Sequence, residues 1–530
     1  MANRQNQNQN GSTKDCNTKF PNSANGKRSA KSKRRKSTTQ SQSSAKLDST
    51  GRDNDPNWYF LSKDIADQAS SFAFNQFIGT KPDQLTTIHR NGDAVSVSTP
   101  PYHVPTIMVL TVNPSPGYGN NIQSGINMAG LKTFTTLSSR NAKTTQYAPQ
   151  DVTTLILALG EVISAVEFIR RAFGVAFTYN QRNRALPLAL LGAMGINAND
   201  FLAHLADYRL QANALITQVN KIPFPANIGY LYKCADIYQN VYLDSDSAMA
   251  QIILMRPNSS WILNEAYSEQ GTGLNTINYL ASSGGAADMS AILEAVTSMV
   301  NAIMESATYN YIYADILNFV DKTGSKTFFL DYILEGYSVI PQFNANFLLQ
   351  IHNAIAVGAP ATAGKWNDVQ PNVNKNCITY DPVFPWNDQD TKLQEVLVDM
   401  PMSNPSVVDR IEATRYSAVV KEYGAATGWV KYTLPDHYIV QFFIMFDDKS
   451  TVSGVPSAQS FMSLSKLKAA EQSYLCLKTQ FNWSPLTYVY FDEANEMYIS
   501  GELNYYTNLD AEWFERVTDL TFQALFDLRS

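Results

Sequence analysis

Seven cations crowd into ten residues at Lys27-Arg28-Ser-Ala-Lys31-Ser-Lys33-Arg34-Arg35-Lys36, the densest run of one chemistry in this 530-residue chain. Like charges at this spacing repel one another, and a polyanion relieves the repulsion by exchanging its condensed counterions for the segment. The cluster holds no aromatic residue, so it offers no base stacking. The chemistry expected of Lys27, Arg28, Lys31, Lys33, Arg34, Arg35 and Lys36 is therefore non-specific contact with nucleic-acid phosphates. Three other readings fit the same residues. The run resembles a nuclear import signal, it could be a plain solvated tail, and Arg34-Arg35-Lys36-Ser37 would suit a basophilic kinase.

No other set of residues forms a recognisable reactive constellation. The histidines at 89, 103, 204, 352 and 437 share no metal-ligand spacing, and no G-x-S-x-G elbow is present. Gly358-Ala-Pro-Ala-Thr-Ala-Gly364-Lys365-Trp366 imitates a phosphate loop, but it has five residues between the glycines, and Trp366 stands where a Ser or Thr would hold magnesium. Asp244-Ser-Asp246 begins like a calcium loop, yet Met255 occupies the place of the bidentate Glu. Neither a Gly-Asp-Asp polymerase motif nor a nucleophile–base pair is evident. The expectation is no enzyme, no metal and no cofactor, with each thiol a small buried hydrophobe.

Around the cluster, residues 1–50 carry eleven Lys/Arg against Asp15 and Asp48, a net charge of +9. The remaining residues then hold thirty basic and forty-five acidic side chains, or −15. A basic segment joined to an acidic body points to a partner for the minority end. Residues 1–55 are otherwise Asn, Gln, Ser and Thr with Phe20 as the only aromatic, too little apolar surface to offset the entropy of ordering. A disordered basic arm over 1–55 and a folded body over 56–530 are expected. Cys16, Cys234, Cys377 and Cys476 lie far apart, which suits reduced thiols in an intracellular setting. The apolar stretch from Leu155 to Phe177 is interrupted by Glu161, Glu167, Arg170 and Arg171, so no membrane span is expected.

The body's pattern predicts a helix-rich α+β fold, mainly α. Helices are expected over Trp58–Ile78; from Asp151 as N-cap through Phe173; after Asn199 and Asp200 along Phe201, Leu205, Leu215 and Val219; as one long element from Asp288 to Val320; and from Asp510 to Leu528. Strand chemistry marks 94–97, 106–112, 429–432, 438–446, 487–491 and 497–499. The Pro-, Asn- and Asp-rich stretch at 340–410 suits surface loops or a projecting elaboration.

One stretch carries a specific resemblance. Arg170-Arg-Ala-Phe-Gly-Val-Ala-Phe-Thr-Tyr179-Asn180-Gln-Arg-Asn183-Arg184-Ala-Leu-Pro187 through Met194-Gly195 resembles the helical segment of picobirnavirus capsid proteins. Asn199-Asp200 through Asp207-Tyr-Arg209, Ile222-Pro-Phe-Pro, and Arg256-Pro-Asn-Ser-Ser-Trp261-Ile-Leu-Asn264-Glu-Ala-Tyr267 are similar to its next landmarks. The resemblance implies a picobirnavirus- or partitivirus-like capsid subunit with a shell region and a smaller projecting region, here within 330–460. It implies homodimers that close an icosahedral T=1 shell of sixty dimers around a segmented dsRNA genome, with the basic arm inside. It places the protein in the virion, and in host cytoplasm during assembly. The alternative is a nucleoprotein that coats RNA without closing a shell; an RNA-processing enzyme with a site built from distant residues is a third reading.

Overall fold

The computed structural model describes residues 62–71, 87–90, 93–96, 106–139, 145–177, 186–247, 250–265, 271–280, 285–360, 367–385, 394–424, 427–445, 454–458, 460–464, 467–491, 493–494 and 496–528. The seven clustered cations, Cys16 and most of the phosphate-loop imitation lie outside these residues. The chain divides into a unit Met1–Phe74 and a unit Asn75–Ser530. In the first, the described element is a helix, Lys63–Ser70, which falls inside the expected 58–78 and has no buried residue.

The second unit is built round one helix, Pro149–Ala176. Twenty-eight residues at 1.5 Å per residue give a rod of about 42 Å. Every residue from Gln150 to Val175 is buried, so apolar side chains line it on all sides rather than along one stripe. It is long and apolar enough to cross a membrane by length and composition, but it is enclosed by protein. The helices Gly125–Ser139, Leu205–Val219, Gly229–Gln239 and Met289–Met304 pack around it. Gly229–Gln239 packs close, since a Cβ at Gly160 would lie 2.6 Å from the Tyr230 ring and 2.9 Å from Cys234 Sγ.

Asp151 does not cap this helix as expected. Ala148 holds the N-cap position, Pro149 opens the first turn, and Asp151 reaches back to accept the Ala148 N–H at 2.9 Å. Its other oxygen accepts from Thr272 Oγ1 at 3.0 Å, tying the helix start to a distant strand. The next caps also shift. Asn197 caps a short helix, Ala198–Ala203, by accepting from Asp200 N, and Leu205–Val219 follows separately.

The expected single helix from Asp288 to Val320 is two, Met289–Met304 and Ala307–Thr323. Ser306 breaks it, accepting the Tyr309 N–H at 3.0 Å and donating its own hydroxyl to Glu265. Glu265 also accepts from Thr308 N at 3.1 Å. A carboxylate at a helix N-terminus satisfies donors that a continuing helix would not have left free.

Beside the helices runs a six-stranded sheet, ordered 454–458, 437–445, 107–114, 252–257, 242–243, 342–343. Its centre, Ile107–Pro114, is buried at all eight positions, as a strand covered on both faces must be. Ile107–Pro114 runs parallel to Ile252–Pro257 and antiparallel to His437–Met445, with Leu110 opposite Phe442. Smaller sheets include Phe461–Ser463, Thr487–Phe491 and Glu496–Ser500, and the pair Glu395–Met400 with Tyr505–Asp510. Twenty strands accompany thirteen α-helices among the described residues, so the architecture is mixed α+β.

The stretch 340–410 is less superficial than its composition suggests. Ile351, Ala354, Ala356, Val369, Ile378, Phe384 and Asp399 within it are all buried. An extended strap, 326–343, is held against Leu205–Val219 by two asparagines one heptad apart. Asn220 accepts the Leu330 N–H at 2.8 Å and donates to its carbonyl at 2.9 Å. Asn213 does the same to Ile333, at 2.8 and 3.1 Å. At Leu330 and Ile333 each side-chain amide takes the place of a neighbouring strand.

Candidate functional site

Two assemblies of charged and polar groups in the body invite comparison with a reactive centre. The first is a cleft of about 640 Å³ lined by Asp244, His352, Asp399, Lys478, Trp483 and Glu502, among others. His352 ends the helix Ala345–His352, Asp399 lies near the end of Glu395–Met400, and Lys478 ends Ala469–Lys478. The His352 imidazole has Nε2 3.0 Å from Asp399 Oδ2 and Nδ1 3.1 Å from the Ser484 carbonyl. Asp399 also accepts from Asn504 N at 2.6 Å. Lys478 donates to the Pro485 carbonyl, Thr487 Oγ1 and the Ser500 carbonyl at 2.9, 2.8 and 2.6 Å. Burial lowers its amine to about 7.

A His–Asp pair and a lysine near neutrality are ingredients of acid–base chemistry, but their partners direct them elsewhere. Both imidazole nitrogens are engaged, one by a backbone carbonyl, so neither faces a hydroxyl or thiol it could activate. All three Lys478 donors have oxygen acceptors. Asp244, from the calcium-loop imitation, accepts the backbone N–H groups of Gln251 and Asn482 at 2.8 and 3.0 Å. These groups stitch two helices, two strands and a loop together, and the cleft wall is a structural joint.

The second place is deep in the core. Asp436 and His437 open the strand His437–Met445, Glu161 comes from the central helix, and Lys233 from Gly229–Gln239. Lys233 pairs with Asp436, and Asp436 contacts His437 Nδ1 at 3.0 Å. His437 Nε2 lies 3.4 Å from Glu161 Oε1, an ion-pair distance without hydrogen-bond alignment. Ser260 donates to the other Glu161 oxygen at 2.7 Å. Burial alone would push the Asp436 carboxyl up, but Lys233 and His437 hold it well below the usual carboxylate range. Burial alone would lower His437, but Asp436 and Glu161 raise it. Cys234 lies alongside, its thiol pushed well above the usual range by burial and then by Glu161. That is the opposite of an activated nucleophile.

The sequence reading named neither assembly. Adjacent Asp436 and His437 at the head of an apolar strand were the one local signal, and their partners lie more than 200 residues away. Cys234 and Cys377 are buried as expected, whereas Cys476 is exposed, a correction to the thiol reading that follows from its place on the outer side of Ala469–Lys478. Among the described residues no group of three or more His, Cys, Asp or Glu could hold a metal.

What the surface does carry is large apolar side chains. Leu334 and Ile340 on the strap are 70% and 72% exposed, Val407 on a short helix 72%, and Tyr505 and Tyr506 58% and 60%. Trp513 and Leu520 stand out from the helix Ala511–Leu525.

Among the described residues both assemblies are joints between elements, and several large apolar side chains stand outside. The backbone shares the fold of the X-ray crystallographic structure of the picobirnavirus capsid, with a TM-score of 0.73 at 19% identity, covering 90% of this chain and 98% of that one. The sequence model described as "Picobirnavirus, Capsid protein" matches residues 58–433, and the chain belongs to that family. It is 23% identical over 515 residues to the capsid protein precursor of a human picobirnavirus (strain Human/Thailand/Hy005102/-), covering 90% of this chain and 91% of that protein. Its role is that of a viral capsid protein, a structural component of the virion.

Proposed function

We propose that the protein assembles as homodimers, sixty of them closing a T=1 icosahedral shell around a segmented dsRNA genome. In this reading residues 1–55 are a basic arm inside the shell, and Lys27, Arg28, Lys31, Lys33, Arg34, Arg35 and Lys36 contact RNA phosphates. Residues 56–530 are the capsid body, its shell region bearing a smaller projecting region within 330–460. Assembly takes place in host cytoplasm.

The observation that carries the reading is the division of charge, +9 on the first fifty residues against −15 on the rest. A coat that adhered to RNA along its whole face would spread its basic residues over the fold. Here attraction is confined to a tether while the body repels, which suits a container with its contents held on short lines. Membership in the capsid family supports the same reading.

Deletion of residues 1–55 tests it. Particles are expected to form, by size-exclusion chromatography and electron microscopy, but to lose the RNA that co-purifies with the full chain. Unchanged RNA content would remove the arm's assigned role. A full-length protein that stays monomeric or dimeric under all assembly conditions would remove the shell, and favour a coating nucleoprotein.

A further inference from the structure

The strand Tyr505–Asp510 pairs antiparallel with Glu395–Met400 along its whole length, from Met400 opposite Tyr505 to Glu395 opposite Asp510, with no bulge. Among the described residues this is its only strand partner. Every second residue therefore turns its backbone N–H and C=O away from Glu395–Met400, along an edge whose Tyr505 and Tyr506 are more than half exposed. Proteins that keep such an edge solitary place Lys, Pro or a bulge on it. Tyr-Tyr-Thr-Asn-Leu-Asp has none of these.

We propose that this edge pairs with the same strand of a second copy, antiparallel about a two-fold axis through Thr507, to form a four-stranded sheet across the subunit boundary. The inference rests on the self-assembly proposed above and locates one of its contacts. Two-fold pairing of identical strands requires an axis normal to the sheet, so opposed residues must lie on the same face. Only residue-centred registers satisfy this. Centred on Tyr506, three strand residues overlap; centred on Thr507 or Asn508, five do. The Asn508 register sets Tyr506 against Asp510 and Thr507 against Leu509, polar against apolar. The Thr507 register sets Thr507 against Thr507, and Tyr505 against the second copy's Leu509 twice over, both favourable cross-strand pairs. The strand's single charge, Asp510, then faces Asn504, so no like charges oppose. The occupant is a second copy because the sequence is complementary to itself in this one register.

Cysteine cross-linking tests the register on the full chain. In a background with Cys16 and Cys476 changed to Ser, Thr507→Cys places two thiols about 4.5–5.5 Å apart between α-carbons, within disulfide range. Mild oxidation of assembled particles is expected to convert most of the protein to covalent dimer. Asn508→Cys, on the other face and opposite Tyr506, is expected to give several-fold less. Thr507→Lys opposes two ammonium groups at the axis and is expected to raise the protein concentration needed for assembly. Particles in which Thr507→Cys cross-links no better than Asn508→Cys would overturn this contact and leave the shell intact. Failure of the wild-type chain to form particles would remove the shell reading and the contact with it.

Discussion

Gly160 on the central helix lies directly beneath the Tyr230 ring, so that a single added carbon at 160 would sit 2.6 Å from it. Both residues are buried, and the same added carbon would lie 2.9 Å from Cys234 Sγ. In an exposed helix, Gly→Ala would stabilise by about 1 kcal/mol. Here overpacking opposes that gain. Gly160→Ala is expected to destabilise by about 1–3 kcal/mol, read as a lowered denaturation midpoint. A midpoint equal to wild type or higher would mean that the two helices can part at no cost.

The buried Glu161–His437–Asp436–Lys233 network makes a pH prediction. The His437 value is raised in the fold, so its contribution is complete below its ordinary value of about 6.5 and is lost as pH rises through the folded value. The Asp436 value is depressed, so its contribution is present above about 3.8 and is lost as pH falls towards the folded value. Lys478, lowered to about 7, works in the opposite sense to His437, since stability rises with pH between about 7 and 10.4 as the unfolded amine loses its proton. Comparing wild type with His437→Gln isolates the histidine. The stability gap between them is expected to narrow steadily above pH 6.5; a gap independent of pH would show that the imidazole carries no charge in the core.

The strap offers a local test. Asn220→Ala removes both hydrogen bonds to Leu330 and leaves its backbone groups to find water, at a cost of about 1–3 kcal/mol. Cleavage between 326 and 343 by a non-specific protease is expected to accelerate, while hydrogen exchange in the central helix stays unchanged. Equal acceleration in both regions would mean that strap and core open together.

Salt dependence tests the proposed contact between the arm and RNA phosphates. If all nine net charges engaged, log affinity for dsRNA would fall against log salt with a slope of roughly −6 to −8. Partial engagement gives a shallower line. Changing Arg34 and Arg35 to Gln is expected to reduce the slope by about 1.4–1.8 without changing preference among RNA sequences. A change in sequence preference would indicate base contacts.

The sequence by itself determined the features that are written within a few turns or one strand. Apolar residues at helical spacing from Val152 to Phe173 announced a helix, alternating and β-branched runs marked strands over 106–112, 438–446 and 487–491, and the ten residues from Lys27 carried their charge openly. The resemblance around Arg170 and Trp261 led to the family that the comparisons identify. The tertiary structure alone decided where the helix after Asp288 breaks, because the carboxylate that receives Ser306 and Thr308 belongs to Glu265, at the end of another strand. It decided that Asp151 would serve Thr272 as well as its own helix, that His437 would meet Glu161, and that Tyr505–Asp510 would pair, among the described residues, with Glu395–Met400 alone. The physical reason is range. Periodicity and capping act over one to three turns and can be read along the chain, whereas a hydrogen bond or an ion pair between residues hundreds of positions apart exists only after the fold has set its partners side by side.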